Sequence, residues 1–242
     1  MSDERDAAAD DGKRVHRQRL FRLPSDAREL ILVRHGASQA HVEGGSLPIN
    51  ADGHGDPPLA PEGRVQAEHV GERLAAEPVT RLFVTSLVRK QETAAPLAAR
   101  SGLEPEVLHD LREVHLGEWE AGEYRVRAAQ RDPLFVRALM EGRWDVIPGA
   151  ESNEALAERV ARGLDHALEA LEPGTVGVAV VHGGIVAEIC RQVTGSQPFA
   201  FLGCDNTSIT RVVQLGIGIR RLRSFNDTAH LDPLRATNEP LV

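Results

Sequence analysis

The chain is poor in cysteine, in aromatic residues and in long apolar runs, and each shortage excludes a class of protein. Two cysteines, Cys190 and Cys204, cannot build a disulfide framework, so both are expected to be reduced thiols of a cytoplasmic protein. Cys190 falls within a helical pattern and reads as buried packing. Aromatic residues make up 4% of the sequence, which leaves Val, Leu, Ile and Ala to build the core. No apolar stretch approaches the ~20 residues that cross a bilayer, so no membrane segment or membrane partner is expected. The first residues carry no apolar leader, and no secretory signal is expected. Positive charge is also short. Against 36 Asp and Glu stand 28 Lys and Arg, a net charge of −8, which argues against a nucleic-acid partner. An anionic ligand would need a local cluster of Arg and His on this acidic background.

What remains fits one sizeable globular domain: 242 residues, 41% hydrophobic and 26% charged. Residues 1–27 read as a disordered tail, acidic from Asp3 to Asp11 and basic from Lys13 to Arg22. The folded domain is expected over 28–232, with a loose C-terminal tail at 233–242. Strand and helix patterns alternate between them. Strands are expected at 29–34, 81–85, 176–181, 207–215 and 219–225. Helices are expected from Pro61 to Ala76, from Val88 to Arg100 with a stop at Gly102, and after the Asp132-Pro133 cap. Ser152 caps a longer helix striped by Leu156, Val160, Leu164, Leu168 and Leu171, and another helix covers 185–194. The segment 115–150 otherwise reads as irregular, and the Gly- and Pro-rich loop 43–58 as a functional loop. Cap elements are therefore expected at 41–58 and 115–150. The pattern implies a three-layer α/β/α sandwich, with a central, mostly parallel sheet and helices on both faces.

Two of the apolar runs end alike, in Val33-Arg34-His35-Gly36 and in Val181-His182-Gly183-Gly184, and Gly36 is expected to let the backbone approach a ligand. Parallel strands deliver their last residues to the carboxyl edge of a sheet, where open α/β folds bind ligands. Neighbouring strands would bring both imidazoles to one edge, and the strand ending near Thr85-Ser86 would add Arg89. Two guanidinium forks and two imidazoles suit the three non-bridging oxygens of a phosphoryl group. A neutral imidazole at His35 could attack phosphorus in line. Glu113 is the candidate proton donor for the leaving alcohol, its pKa expected to be raised by a nearby dianion and partial desolvation. Ser38, His41, Gly183 and Asn206 are further candidates for phosphate or substrate contact, with turn or loop-support roles as the alternatives for Ser38 and Asn206.

These blocks resemble the histidine phosphatase superfamily, also called phosphoglycerate-mutase-like. Leu32-Val33-Arg34-His35-Gly36 matches its signature, and the stretch from Leu59 to Ala67 is similar to its next block. The stretches Thr85 to Ala94, Leu111 to Glu120, Val181 to Gly184 and Cys204 to Ile209 resemble the second arginine motif, the acid motif, the second histidine motif and the pocket-closing segment. The resemblance implies a phosphohistidine on His35, phosphoryl binding by Arg34 and Arg89, stabilisation by His182, and Glu113 as general acid and later base. It implies no metal and no organic cofactor. The chain departs from the family's usual wording at Ala37, Ser38 and His41, and it reads His-Gly-Gly where mutases read His-Gly-Asn. The expectation is thus a phosphatase acting on a small phosphorylated metabolite. Phosphoglycerate mutase is the alternative enzyme, and an inactive phospho-ligand-binding or scaffold protein is the alternative of another class. The natural substrate and the oligomeric state stay open, a homodimer being one option.

Other residues admit plainer readings. Asp52-Gly53-His54-Gly55-Asp56 has metal-ligating residue types but lacks a full calcium-loop pattern, and reads mainly as a flexible polar loop, with substrate contact as the alternative. Trp119 and Trp144 read as packing. Glu118, Glu120 and Glu123 read as solvated loop charges, and Arg125, Arg127 and Arg143 as exposed arginines that could meet a second anionic group.

Overall fold

The computed structural model describes residues 22–216 and 218–236. Six strands and seven helices follow one another: β1 (Arg28–Arg34), α1 (Pro61–Ala75), β2 (Val79–Val84), α2 (Val88–Ser101) and β3 (Glu106–Val107) form the first half. The second half holds α3 (Glu123–Ala129), α4 (Pro133–Glu141), α5 (Asn153–Glu169), β4 (Val176–Val181), α6 (Gly183–Thr194), β5 (Ile209–Gln214), β6 (Arg220–Asp227) and α7 (Asp232–Ala236). The sheet order is β3-β2-β4-β1-β5-β6. Parallel pairing joins β3 to β2, β2 to β4 and β4 to β1, while β5 runs against both of its neighbours.

Alternation along the central strands builds two cores. Leu30 and Leu32 of β1, with Ala179 and Val181 of β4, face α5 and α6, where Val160, Leu164, Ile185 and Ile189 meet them. Ile31 and Val33, with Val178 and Val180, face Val70 and Leu74 of α1 and Ala94 and Leu97 of α2. Strand β4 is buried on both faces, which is why its sequence is a nearly unbroken apolar run. This is the expected sandwich of three layers.

The local signals act as stop and start marks. Ser152 accepts from the Ala155 N–H at 3.1 Å, and Asp132 accepts from the Leu134 N–H at 2.8 Å, each satisfying a helix-end donor. Gly102 ends α2 in the left-handed region, with φ +70°. Two elements had no expectation attached. Helix α3 buries no residue and so carries no apolar stripe, and β3 has only two residues. Much of the expected N-terminal tail, 1–21, lies outside the described residues; Ala27 is buried, and its carbonyl accepts from the Gly174 N–H at 2.8 Å. Helix α7 covers the start of the segment expected as a C-terminal tail, and 237–242 lie outside the described residues.

One glycine serves a different purpose from the one expected. Gly36 was expected to let the backbone approach a ligand. A Cβ there would lie 2.5 Å from the Gly63 carbonyl oxygen, and a Cβ at Gly63 would overlap the Ala37 carbonyl. The glycine pair lets the loop after β1 pack against the first turn of α1. Ala37 N–H then donates to Gln66 Oε1 at 2.8 Å, which fixes how the chain leaves the strand.

Candidate active site

The pairing of β1 with β4 sets the site. Arg34 lies opposite Val181, so His35 and His182 leave adjacent strands at the same level. The next connections diverge. Chain from β1 passes through α1 to β2 on one side, and chain from β4 passes through α6 to β5 on the other. A crevice opens at such a switch point. Here it is a cavity of about 480 Å³. Arg34, His35, Arg89, Glu113, Gly183 and Asn206 line one part of it.

His35 is buried, and its ring meets the ring of His182 edge-on, with centroids 5.4 Å apart. Its Nδ1 is 2.7 Å from the Gly36 carbonyl oxygen. A carbonyl only accepts, so Nδ1 carries the hydrogen, and a neutral ring then has a bare Nε2 lone pair. Burial is the main cause that holds the His35 pKa well below the ordinary histidine value; Lys90 in its ammonium form, Arg89 and Arg34 act in the same direction. His182 caps α6 and is fully buried. Its Nδ1 accepts from Arg89 Nη2 at 3.4 Å, which leaves Nε2–H to donate to Thr85 Oγ1 at 3.3 Å. Burial, then Lys90 and Arg89, also hold it well below its ordinary value.

The arginines are each fixed by a backbone carbonyl. Arg34 Nη1 donates to the Cys204 carbonyl, and its Nε finds no acceptor among the described residues. Arg89 enters from the first turn of α2 and donates to the Gly55 carbonyl at 2.9 Å, with Asp56 3.6 Å away. Asp56 also accepts from the Val88 N–H at 2.9 Å and so caps α2. Asn206 Nδ2 donates to the His35 carbonyl at 2.8 Å, so it both lines the cavity and braces the strand end. Gly183 opens α6, whose free amides and dipole face the same space.

Glu113 stands across from His182, with Oε2 3.7 Å from Nδ1. Gly184 makes room for it, since a Cβ there would sit 2.7 Å from Glu113 Oε1. The loop that carries Glu113 is organised by Arg159, which sequence reasoning missed. Arg159 is buried and binds both oxygens of Glu151, at 2.6 and 2.7 Å. It also donates to the carbonyls of Asp110, Arg112 and Glu113, at 2.8, 2.7 and 3.0 Å. All five of its donors are used. The available signal was an arginine three residues after Leu156, on the apolar stripe of a helix.

Other expected contacts divide. Ser38 lines the cavity and accepts from Arg125 Nη2 at 2.8 Å. The structure does not bring His41 into the lining. Its ring fills the space that a Cβ on Gly122 would need, where that atom would overlap His41 Nδ1. Of the three arginines set aside, Arg125 alone reaches the cavity; Arg127 pairs with Glu123 and Asp132, and Arg143 with Asp145. The loop residue His54 is not a flexible surface group. It is buried, lines the cavity and lies 3.7 Å from Glu120. Glu120 is likewise no solvated charge. Burial opposes its ionisation, but the nearby His54 imidazole and hydrogen bonds from the Leu116 and Gly55 N–H groups hold its carboxyl below the usual range. Among the described residues, no group of three or more His, Cys, Asp or Glu is arranged to hold a metal ion. Trp119 and Trp144 are buried in the core and also wall the cavity, with Leu47, Tyr124 and Leu202.

The sequence matches the family described as the histidine phosphatase superfamily (branch 1) over residues 30–228. The chain belongs to the histidine phosphatase superfamily. It is 34% identical over 175 residues to phosphoglycerate mutase-like protein 4 of Arabidopsis thaliana, covering 71% of this chain and 73% of that protein. It is 30% identical over 187 residues to the probable phosphoglycerate mutase GpmB of Salmonella choleraesuis, covering 76% of this chain and 84% of the relative. Among solved structures, the mycobacterial glucosyl-3-phosphoglycerate phosphatase superposes with a TM-score of 0.67 at 26% identity, over 84% of this chain and all of that one (100%). The chain shares its α/β fold with phosphoglycerate-mutase-like solved structures.

Two outcomes follow. Replacing Arg159 with Met strands the Glu151 carboxylate and three carbonyls, so urea unfolding should show a loss of about 3–5 kcal/mol. Both buried histidines are held below the ordinary value of 6.5, so the unfolded chain binds protons that the folded chain refuses. Their contribution to stability is therefore complete above about pH 6.5 and shrinks as pH falls below it. Urea midpoints measured down to about pH 5 should fall, and the fall should be shallower in His182→Asn.

Proposed function

We propose that this chain is a phosphomonoester hydrolase that works through a phosphohistidine on His35. The observation that carries the proposal is the Nδ1 contact of His35 to the Gly36 carbonyl, which leaves Nε2 as the nucleophilic atom of a neutral ring in the cavity. Arg34, Arg89 and the start of α6 bind the phosphoryl oxygens, and His182 supports the group in transit. Glu113 gives its proton to the leaving alcohol. The same carboxylate then takes a proton from the water that attacks the phosphohistidine, and His35 is restored. The substrate is a small phosphorylated metabolite, with its carbon skeleton against Tyr124, Trp144 and Leu202. Similarity to a protein named as a glucosyl-3-phosphoglycerate phosphatase supports hydrolysis.

A second reading, phosphoglycerate mutase, draws on the names of the curated relatives. In that case the phosphoryl group returns to a bound sugar acid rather than to water. Incubation with 3-phosphoglycerate separates the two: the hydrolase releases inorganic phosphate and forms no 2-phosphoglycerate.

Mixing enzyme with labelled substrate and quenching in alkaline denaturant should trap a base-stable, acid-labile phosphoprotein, absent in His35→Ala. Full turnover by His35→Ala would exclude the mechanism. Glu113→Gln should lower kcat for alkyl phosphates by about 10²–10⁴-fold. With p-nitrophenyl phosphate, whose leaving group needs no proton, the burst that reports phosphorylation of His35 should be little affected, while steady turnover still falls because attack of water on the phosphohistidine lacks its base.

A further inference from the structure

Lys90 follows Arg89 on α2 and has no part in the chemistry above. Its side chain is fully buried, and its Nζ finds no hydrogen-bond partner among the described residues. A hidden, unpaired amine is costly, so its presence asks for a reason. Helical spacing sets Lys90 in line with Ala94 and Leu97, and both pack in the cluster that holds Val33, Val84 and Val180. Lys90 therefore faces the sheet. Helical side chains lean toward the N-terminus of their helix. The N-terminus of α2 is where Arg89 enters the cavity, so the Lys90 stem is directed toward the strand ends that carry His35 and His182.

The groups that act on this amine come from every side of the site. Arg34 and His35 stand at the end of β1, His182 at the cap of α6, Arg89 on α2 itself, and Glu113 and Asp56 on two loops. Burial, followed by Arg89, pushes the ammonium form well below the ordinary lysine range. Glu113 and Asp56 oppose the shift, and Arg34 adds to it. An arriving dianion changes this balance. It brings negative charge into a low-dielectric site already lined by Arg34 and Arg89, and favours one more cation.

We propose that Lys90 is a positioning residue whose amine takes up a proton from solvent when a tetrahedral dianion fills the phosphoryl end of the cavity, and returns it when the dianion leaves. No covalent bond to the ligand forms; the amine becomes an ammonium and reverts. The proposal rests on the reading of the cavity as a phosphoryl site. Its consequence is that Lys90 adds a positive charge to those of Arg34 and Arg89 only while the site is occupied. The empty site is spared the repulsion of a buried ammonium beside the two guanidinium groups, and dianion affinity weakens as pH rises.

Tungstate is the suitable probe, a tetrahedral dianion that does not itself titrate near neutrality. Calorimetric titration of the full chain in two buffers of different ionisation enthalpy gives the protons taken up per tungstate bound. At about pH 8, wild-type protein should take up roughly one proton. Lys90→Met, which keeps the stem and loses the amine, should bind more weakly and take up almost none, and Lys90→Leu serves as a second such variant. Tungstate binding without proton uptake by the wild type would overturn the role of Lys90 alone. So would undiminished uptake in either folded variant. Absence of tungstate binding altogether would overturn the phosphoryl-site reading and the role of Lys90 with it.

Discussion

The register between β1 and β4 is the constraint on which the rest depends. Parallel pairing with Arg34 opposite Val181 puts two imidazoles side by side at one edge of the sheet. A slip of one residue would turn every side chain of β1 to the other face, exchanging the Leu30 and Leu32 set for the Ile31 and Val33 set. Both cores would then be mispacked. The hydrophobic pattern that stabilises the fold is thus the same pattern that fixes the distance between His35 and His182. Site geometry and core packing cannot be varied independently.

Around that pair, the chain concentrates positive charge in a protein whose net charge is −8. The guanidinium groups are held by acceptors that do not belong to the cavity's own chemistry: Cys204 for Arg34, Gly55 for Arg89. The Cys204 and Gly55 carbonyls orient these cations without cancelling them, and Asp56, 3.6 Å from Arg89, offsets only part of the local charge. The same field, together with burial, keeps both imidazoles neutral. On the proposed function, nucleophile preparation and anion attraction come from one arrangement of charges. Loop 41–58 contributes from above through Gly55, Asp56 and His54, and Glu120 ties it to the loop that follows Glu113.

Much of this was legible in the sequence where a physical period carried it. The apolar runs before His35 and His182 gave strand, direction and edge, and the caps at Ser152 and Asp132 gave two helix starts. Arg89 followed from its place just after the second strand. Glu113 was nominated because the mechanism needs a proton donor and was supported by resemblance, since nothing local distinguishes it from Glu118 or Glu120. The remainder was illegible for definite reasons. Arg159 and Lys90 are charged residues at buried helix positions, and a binary pattern reads them as surface. Glu120 and His54 acquire meaning only through each other, across 66 positions of chain. Gly36 was read as an opening for a ligand because its partner, Gly63, lies on another element. Helix α3 has no buried residue and therefore no stripe to read.

The cavity joins this cationic end to an aromatic wall, and family membership places the chain among enzymes that share its fold while differing in what the phosphoryl group is passed to. The central claim is narrower: a single ring nitrogen on His35 holds the phosphoryl group between two in-line displacements. The stereochemical course at phosphorus tests it most directly. A phosphomonoester made chiral at phosphorus with sulfur and oxygen isotopes would be hydrolysed in isotopically labelled water, and the configuration of the thiophosphate product determined. Two displacements predict overall retention. Inversion would mean that water attacks the ester directly, and would contradict the account.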